Sequence, residues 1–320
     1  MNEPHATEGR RFEKALLHHR WLHKMIGWIG ETGLTCMIWP RFVAPFQWRL
    51  RRHAMPLPTL AAEFEGYKIL FISDLHLGKA DLKYLHRAIR GGIAETQPDV
   101  ILIGGDLIHY NPASLHPLRE TLPLFGAPDG VYAVFGNHDY REYSWRHNGK
   151  RSAKRSIHRR LVAALADSPV RLLRNEAAIL RRGDARVQIV GMDEMWADLL
   201  DADKAFGQVA ADQPTICLQH NPDGVELLKG RPWDWLLAGH SHGGQVVLPV
   251  AGALYVPMAH RHYLRGFFEF AAAGRRQTMY VSTGIGYTQP LRMRVPPEMV
   301  LFTLTRGDPR GPEGMAVEMG

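Results

Sequence analysis

Polar residues able to bind a metal ion or move a proton stand directly behind apolar runs of strand length. Asp74 and His76 follow KILFIS (68–73) in the stretch DLHLG, and Asp106 follows DVILIG (99–104). Asn137, His138 and Asp139 follow GVYAVFG (130–136), and His220 follows PTICLQ (214–219) at the head of HNPDG. His240 and His242 follow WDWLLAG (233–239) in GHSHGGQ. Taken singly, an aspartate after a strand is ordinarily a turn residue, and GNHD is an ordinary tight turn. Five such strand ends in order make a site instead, because the crevice beyond strand carboxyl ends is where α/β sheets bind ligands. In extended backbone, residues two apart point the same way, so Asp74 and His76 are expected to reach one ion.

Imidazoles, carboxylates and an amide without cysteine suit Mn, Fe or Zn in a reactive site rather than a structural zinc cage. Seven ligands are too many for one tetrahedral ion. They suit two ions roughly 3.5–4 Å apart with a bridging carboxylate, an arrangement suited to phosphate-ester hydrolysis. GHSHG also spells the G-x-S-x-G of a serine hydrolase. That elbow needs strand–turn–helix and the order Ser, acid, His. After Ser241 the histidines are His242, His260 and His262, and the first acid is Glu269, so the order fails.

The runs that must position these groups continue with RVQIVG (186–191), QVVLP (245–249), TMYVST (278–283) and EMVLFTL (298–304). Helical stretches, LKYLHRAIRGGIAE (82–95) and RRLVAALADS (159–168), separate the early ones. This alternation predicts an α/β layered fold with buried sheets. Later runs follow each other closely, which predicts a second, more antiparallel sheet.

DLHLG, GGDLI, GNHD, HNPD and GHSHGGQ, in that order, resemble the calcineurin-like metallophosphoesterases over Tyr67 to Leu304. The finer pattern, with GIGYTQPLRMRVPPE (284–298), resembles a bacterial membrane-associated branch. That branch includes enzymes that cleave the pyrophosphate of UDP-2,3-diacylglucosamine. The resemblance implies a four-layer α-β-β-α sandwich, α/β (α+β), with two central mixed sheets and a dinuclear site at their strand ends. It implies Asp74, His76 and His242 on a first divalent ion, Asn137, His220 and His240 on a second, and Asp106 between them, with Mn the leading metal. A water activated by both ions would attack phosphorus. His138 would stabilise the transition state or protonate the leaving group. Asp139 would orient His138 or cap the next turn. Asn137 and Arg292 would touch the substrate, with Arg294 the rival for the arginine role. One departure is His109, where many relatives carry an acid.

At 320 residues with 45% hydrophobic and 22% charged residues, the chain is an ordinary soluble globular protein by composition. Its formal charge of +7 favours anionic partners: a phosphate-containing substrate, a lipid, or an anionic membrane surface. A basic run, residues 141–160, permits a nuclease, but with only Tyr143 and Trp145 interleaved a nucleic-acid platform is thinly supported. Cys36 and Cys217 cannot build a disulfide framework, which fits a reducing compartment. Residues 1–65 are expected to form an aromatic-rich amphipathic segment, lying in a membrane interface or packing on the back of the domain. Lys24, Glu31 and Arg41 break that segment into runs too short to span a bilayer. The Arg10–Arg11 pair lacks the apolar stretch of an export signal. The domain itself is expected over 66–305, with a disordered tail over 306–320. The expected location is cytoplasmic or peripheral on the inner membrane. No oligomeric state follows from the sequence.

Overall fold

The structure is a computed structural model, and it describes residues 39–140, 155–254, 256, 258–272 and 275–307. Strand β2 (Lys68–Ile72) shows how the sequence becomes layers. Its residues alternate, with Ile69 and Phe71 in the core between two sheets, and Leu70 and Ile72 in the core under the helices. Both faces are apolar, so the strand reads as one continuous run and is buried on both sides.

The first sheet has the order β1-β14-β2-β3-β4-β5. It uses β1 (Arg49–Leu57), β3 (Val100–Ile103), β4 (Val131–Ala133), β5 (Val170–Leu172) and β14 (Glu298–Arg306) besides β2. Strands β2 to β5 are parallel, and β14 runs against β2. Helices Leu82–Thr96, Leu115–Thr121 and Arg155–Ala166 cover its outer face. The first of these starts where the Asp81 carboxylate accepts the Tyr84 N–H at 2.7 Å, a side-chain N-cap. It ends on Gln97, which is left-handed, before Pro98. Gly92 lets it press on β14, since a Cβ there would stand 2.5 Å from the Met299 methyl.

The second sheet has the order β12-β13-β9-β8-β7-β6. Its strands are β6 (Glu176–Arg182), β7 (Ala185–Gly191), β8 (Thr215–Leu218), β9 (Trp235–Ala238), β12 (Gly266–Ala272) and β13 (Arg275–Val281). The expected antiparallel character holds only at the two edges. The central β7, β8, β9 and β13 are parallel. Between β7, β8 and β9 the crossovers use only the short helix Ala202–Phe206 and the 3-10 turn Pro222–Leu228. These thin elements, with Trp233, Met258 and Tyr263, form the fourth layer. The α-β-β-α sandwich is therefore present, with a slender last layer.

The boundary expected at residue 66 falls inside this unit. Strand β1 pairs in parallel with β14 along its whole length, from Arg49 opposite Glu298 to Leu57 opposite Arg306. It is an edge strand whose arginines and Pro56 discourage further pairing. The expected strand 245–249 shrinks to a two-residue rung, β10 (Val247–Leu248) on β11 (Gly252–Ala253). Residues 40–46 pack between the 284–294 loop and the first outer helix. The Arg292 N–H donates to the Pro40 carbonyl at 2.8 Å, and the Phe46 ring meets Tyr84 and Tyr287 edge-on. Residues 1–38, including the Arg10–Arg11 pair, residues 141–154 of the basic run and the tail from 308 lie outside the described residues. Among the described residues no helix is long and apolar enough to cross a membrane.

Candidate metal centre

The loops after β2, β3, β4, β8 and β9 meet at one end of both sheets. Asp74, His76, Asp106, His240 and His242 all have positive φ, between 47° and 69°. Left-handed backbone costs a non-glycine residue on the order of 1 kcal/mol or more, and such strain concentrates at functional sites. The expectation that Asp74 and His76 converge because the chain is extended is thus corrected. Both have left-handed φ, on a segment whose Asp74 and His76 N–H groups donate to the Gly105 and Asp106 carbonyls.

Close approach makes the glycines necessary. A Cβ on Gly136 would stand 2.2 Å from Asp106 Oδ1, and one on Gly239 would stand 2.4 Å from Asp74 Oδ2.

Two groups of ligand atoms result, each within 4.8 Å: Asp74 with His76 and His242, and Asp106 with His220 and His240. His76 Nε2 and His242 Nε2 are 2.9 Å apart, and His242 Nε2 is 3.5 Å from Asp74 Oδ1. Asp106 Oδ2 lies between the groups, 3.2 Å from His220 Nε2 and 3.6 Å from His76 Nε2. Asn137 Oδ1 joins the second group, 2.8 Å from His240 Nδ1. Ligand atoms bound tetrahedrally at about 2.0–2.2 Å stand about 3.4 Å apart, so these separations fit divalent ions. His240 and His242 fall in different groups.

Other contacts aim the ligands. His220 Nδ1 donates to the Gly104 carbonyl at 2.7 Å, which leaves Nε2 as its lone-pair side. Asp74 accepts from Ser73 Oγ at 2.6 Å and from the His240 N–H at 3.1 Å. The His138 N–H donates to Asp106 Oδ1 at 2.8 Å. Burial holds His76, His138 and His242 well below the usual imidazole range. Burial pushes Asp74 up to about 6. At His220 burial is outweighed by the Asp106 carboxylate, which raises it to about 10. At Asp106 burial is outweighed by His220 and His138, which hold it well below the carboxylate range. A buried cation–carboxylate contact of this kind is what a divalent ion would displace, releasing the proton.

Asp139, expected to orient His138 or to cap a turn, and Arg292, expected at the substrate, both turn to backbone groups. The Asp139 carboxylate accepts backbone N–H groups from Gly136 at 2.9 Å, Ile108 at 3.0 Å and Leu107 at 3.3 Å. It ties the loop carrying Asp106 to the loop carrying Asn137, and its oxygens are spent on amides, not on the His138 ring. Arg292 is fully buried, and its guanidinium donates to the carbonyls of Thr283, Gly284 and Gly286. Its Nη2 is 3.3 Å from His242 Nδ1, so it braces His242 and the 283–286 loop from a position closed to solvent. Arg292→Ala is therefore expected to lower stability by about 3 kcal/mol or more, since the buried carbonyls of Thr283 and Gly286 lose their donor. Denaturant midpoints check this; an unchanged midpoint with a raised KM would restore the substrate role. Arg294 is exposed.

Ser241 is no nucleophile: its hydroxyl donates to the Leu264 carbonyl at 2.6 Å. His109 comes together with His76 and His138 as a third group, its ring stacked on His138 at 4.6 Å. The unusual GGDLIH pointed to the position but not to that stack. Trp196, whose ring meets His240 edge-on at 4.6 Å, lies in no motif and was invisible in the sequence.

Fold and site together define a hydrolase with a two-centre cluster of oxygen and nitrogen ligands. The family model for calcineurin-like phosphoesterases matches residues 67–244, and the chain belongs to that family; it is a metallophosphoesterase. It is 31% identical over 247 residues to phosphodiesterase YaeI of Escherichia coli (strain K12), covering 74% of this chain and 82% of that one. It is 30% identical over 306 residues to the UDP-2,3-diacylglucosamine pyrophosphatase LpxG of Chlamydia muridarum (strain MoPn / Nigg), covering 83% and 92%. An uncharacterized metallophosphoesterase of Bacillus subtilis (strain 168), YkuE, is 27% identical over 91% of this chain and 98% of its own.

Proposed function

We propose that this phosphoesterase hydrolyses a phosphodiester or pyrophosphate bond in a membrane-lipid-linked substrate of the UDP-2,3-diacylglucosamine type. The observation that carries the two-ion reading is Asp106 Oδ2, within 3.6 Å of a histidine from each ligand group. Asp74, His76 and His242 would hold one ion, Asn137, His220 and His240 the other, and Asp106 both. Two bound divalent ions, manganese first and iron or zinc as alternatives, supply a water acidified for attack and charge neutralisation at phosphorus. His138 would stabilise the charge that develops at the leaving oxygen or protonate it, and its backbone N–H fixes Asp106. Asp139 keeps the two loops in register. Arg294 is the remaining arginine of the 284–298 segment for gripping a substrate phosphate.

The LpxG similarity supports the lipid-linked substrate. Two exposed apolar residues support peripheral contact with an anionic membrane, Phe42 at 60% and Val250 at 100% exposure. Phe42 belongs to the segment packed on one side of the 284–294 loop. Val250 tips the hairpin hydrogen-bonded to its other side, through Val247 N–H to the Met293 carbonyl. The second reading, a general phosphodiesterase on soluble substrates, is supported by the similarity to YaeI. A substrate panel with Mn²⁺ separates them. The UDP-linked acyl sugar is expected to give the highest kcat/KM among that substrate, phospholipids, cyclic nucleotides and single-stranded DNA. Turnover of nucleotides or DNA with none on the lipids would overturn the lipid reading and leave the phosphoesterase class standing.

A further inference from the structure

Glu194 is a buried acid that no motif marks. It lies in the loop after β7 and is 1% exposed. One carboxylate oxygen, Oε2, accepts the Ala197 N–H at 2.6 Å and closes a turn. The other, Oε1, has no hydrogen-bond partner. A buried carboxylate oxygen without a donor is costly, and a native fold retains one where a ligand or water supplies the donor.

Three observations place the Glu194 loop beside the second ligand group. Strands β7 and β8 are parallel neighbours with Gly191 opposite Leu218, and the Met192 N–H continues the pairing onto the Leu218 carbonyl. The loops that follow, one carrying Glu194 and the other His220, therefore leave the same sheet end side by side. Burial raises the Glu194 carboxyl, and the neighbouring His220 and Asp106 pull it in opposite directions. Trp196, two residues on, stands edge-on to His240 at 4.6 Å.

The loop is also held. The Glu194 N–H donates to Asp193 Oδ1 at 2.9 Å, and the same oxygen accepts the Tyr140 hydroxyl at 2.6 Å. Arg174 Nε donates to the other Asp193 oxygen at 2.8 Å. Tyr140 closes the short helix Asn137–Tyr140, so Asp193 couples Glu194 to the loop that carries Asn137 and His138.

We infer that Glu194 is a further site residue, whose Oε1 accepts a hydrogen bond from a water or substrate hydroxyl on the His220/His240 side of the centre. The inference rests on the phosphoesterase reading of that centre. Acting as an acceptor, it would orient a hydroxyl donor beside the phosphoryl group without binding an ion itself.

Glu194→Gln is the decisive variant. The amide oxygen can still accept the Ala197 N–H, so the turn survives, while the orphaned acceptor becomes a donor. With a chromogenic phosphodiester and Mn²⁺, kcat/KM is expected to fall about 10- to 100-fold, the range for removing a supporting partner at a metal site. Metal content and melting temperature should match the wild type, and Glu194→Ala should lose as much activity. A merely structural glutamate gives the opposite pattern: Gln rescues and Ala does not. Wild-type kinetics in Glu194→Gln, or activity lost together with metal, would overturn the inference. If the wild-type protein itself fails to turn over any phosphoester, the functional reading fails, which is a separate outcome.

Discussion

Asp106→Asn is expected to lower kcat on a chromogenic phosphodiester by on the order of a thousandfold or more, as loss of a group shared by the whole centre does. Asp106 is the side chain that belongs to both halves of the site: its Oδ2 faces His76 and His220, and its Oδ1 receives the His138 N–H. An amide keeps the size and loses the charge. It can offer one oxygen, and turned the other way it aims N–H groups at imidazole nitrogens. The variant is expected to retain fewer ions per chain than the wild type after desalting. Elemental analysis and kinetics on one preparation check both. A variant with full activity would show that Asp106 is not shared.

His138→Asn is expected to behave differently. The His138 ring stacks on His109 and meets His76 edge-on, and it is not one of the two ligand groups joined by Asp106. Ion content should therefore stay at the wild-type level while kcat falls by about 10²–10⁴, the usual contribution of a positioned acid or base. The fall should depend on the leaving group. A nitrophenolate departs without a proton, so its loss should be small. An alkoxide or sugar hydroxyl needs one, so its loss should be large. Kinetics on a nitrophenyl diester and an alkyl diester separate the two. Equal losses on both would assign His138 to charge stabilisation rather than proton transfer.

The strands carrying the ligands were legible because each is buried on both faces and reads as an apolar run, as in Val100–Ile103 and Trp235–Ala238. The candidate ligands were legible because each follows such a run. Strand β1 was not, because an edge strand with arginines and Pro56 lacks that run, although it pairs along all of β14. The parallel centre of the second sheet was hidden because its crossovers are short turns rather than full helices. Left-handed φ at Asp74 and His76 has no periodic signature, so extended backbone was expected where the structure has none. Arg292 misled because chain position beside the site does not report direction: its guanidinium turns inward to three carbonyls. Asp139 misled in the same way. Its proximity to His138 in sequence masked a carboxylate whose partners are the amides of residues 107, 108 and 136.

The most direct test is the number of divalent ions bound per chain, measured by elemental analysis on protein that hydrolyses a phosphodiester. Two ions per chain are expected, with activity lost on chelation and restored by Mn²⁺. Turnover that persists with at most one bound ion would contradict a centre shared through Asp106.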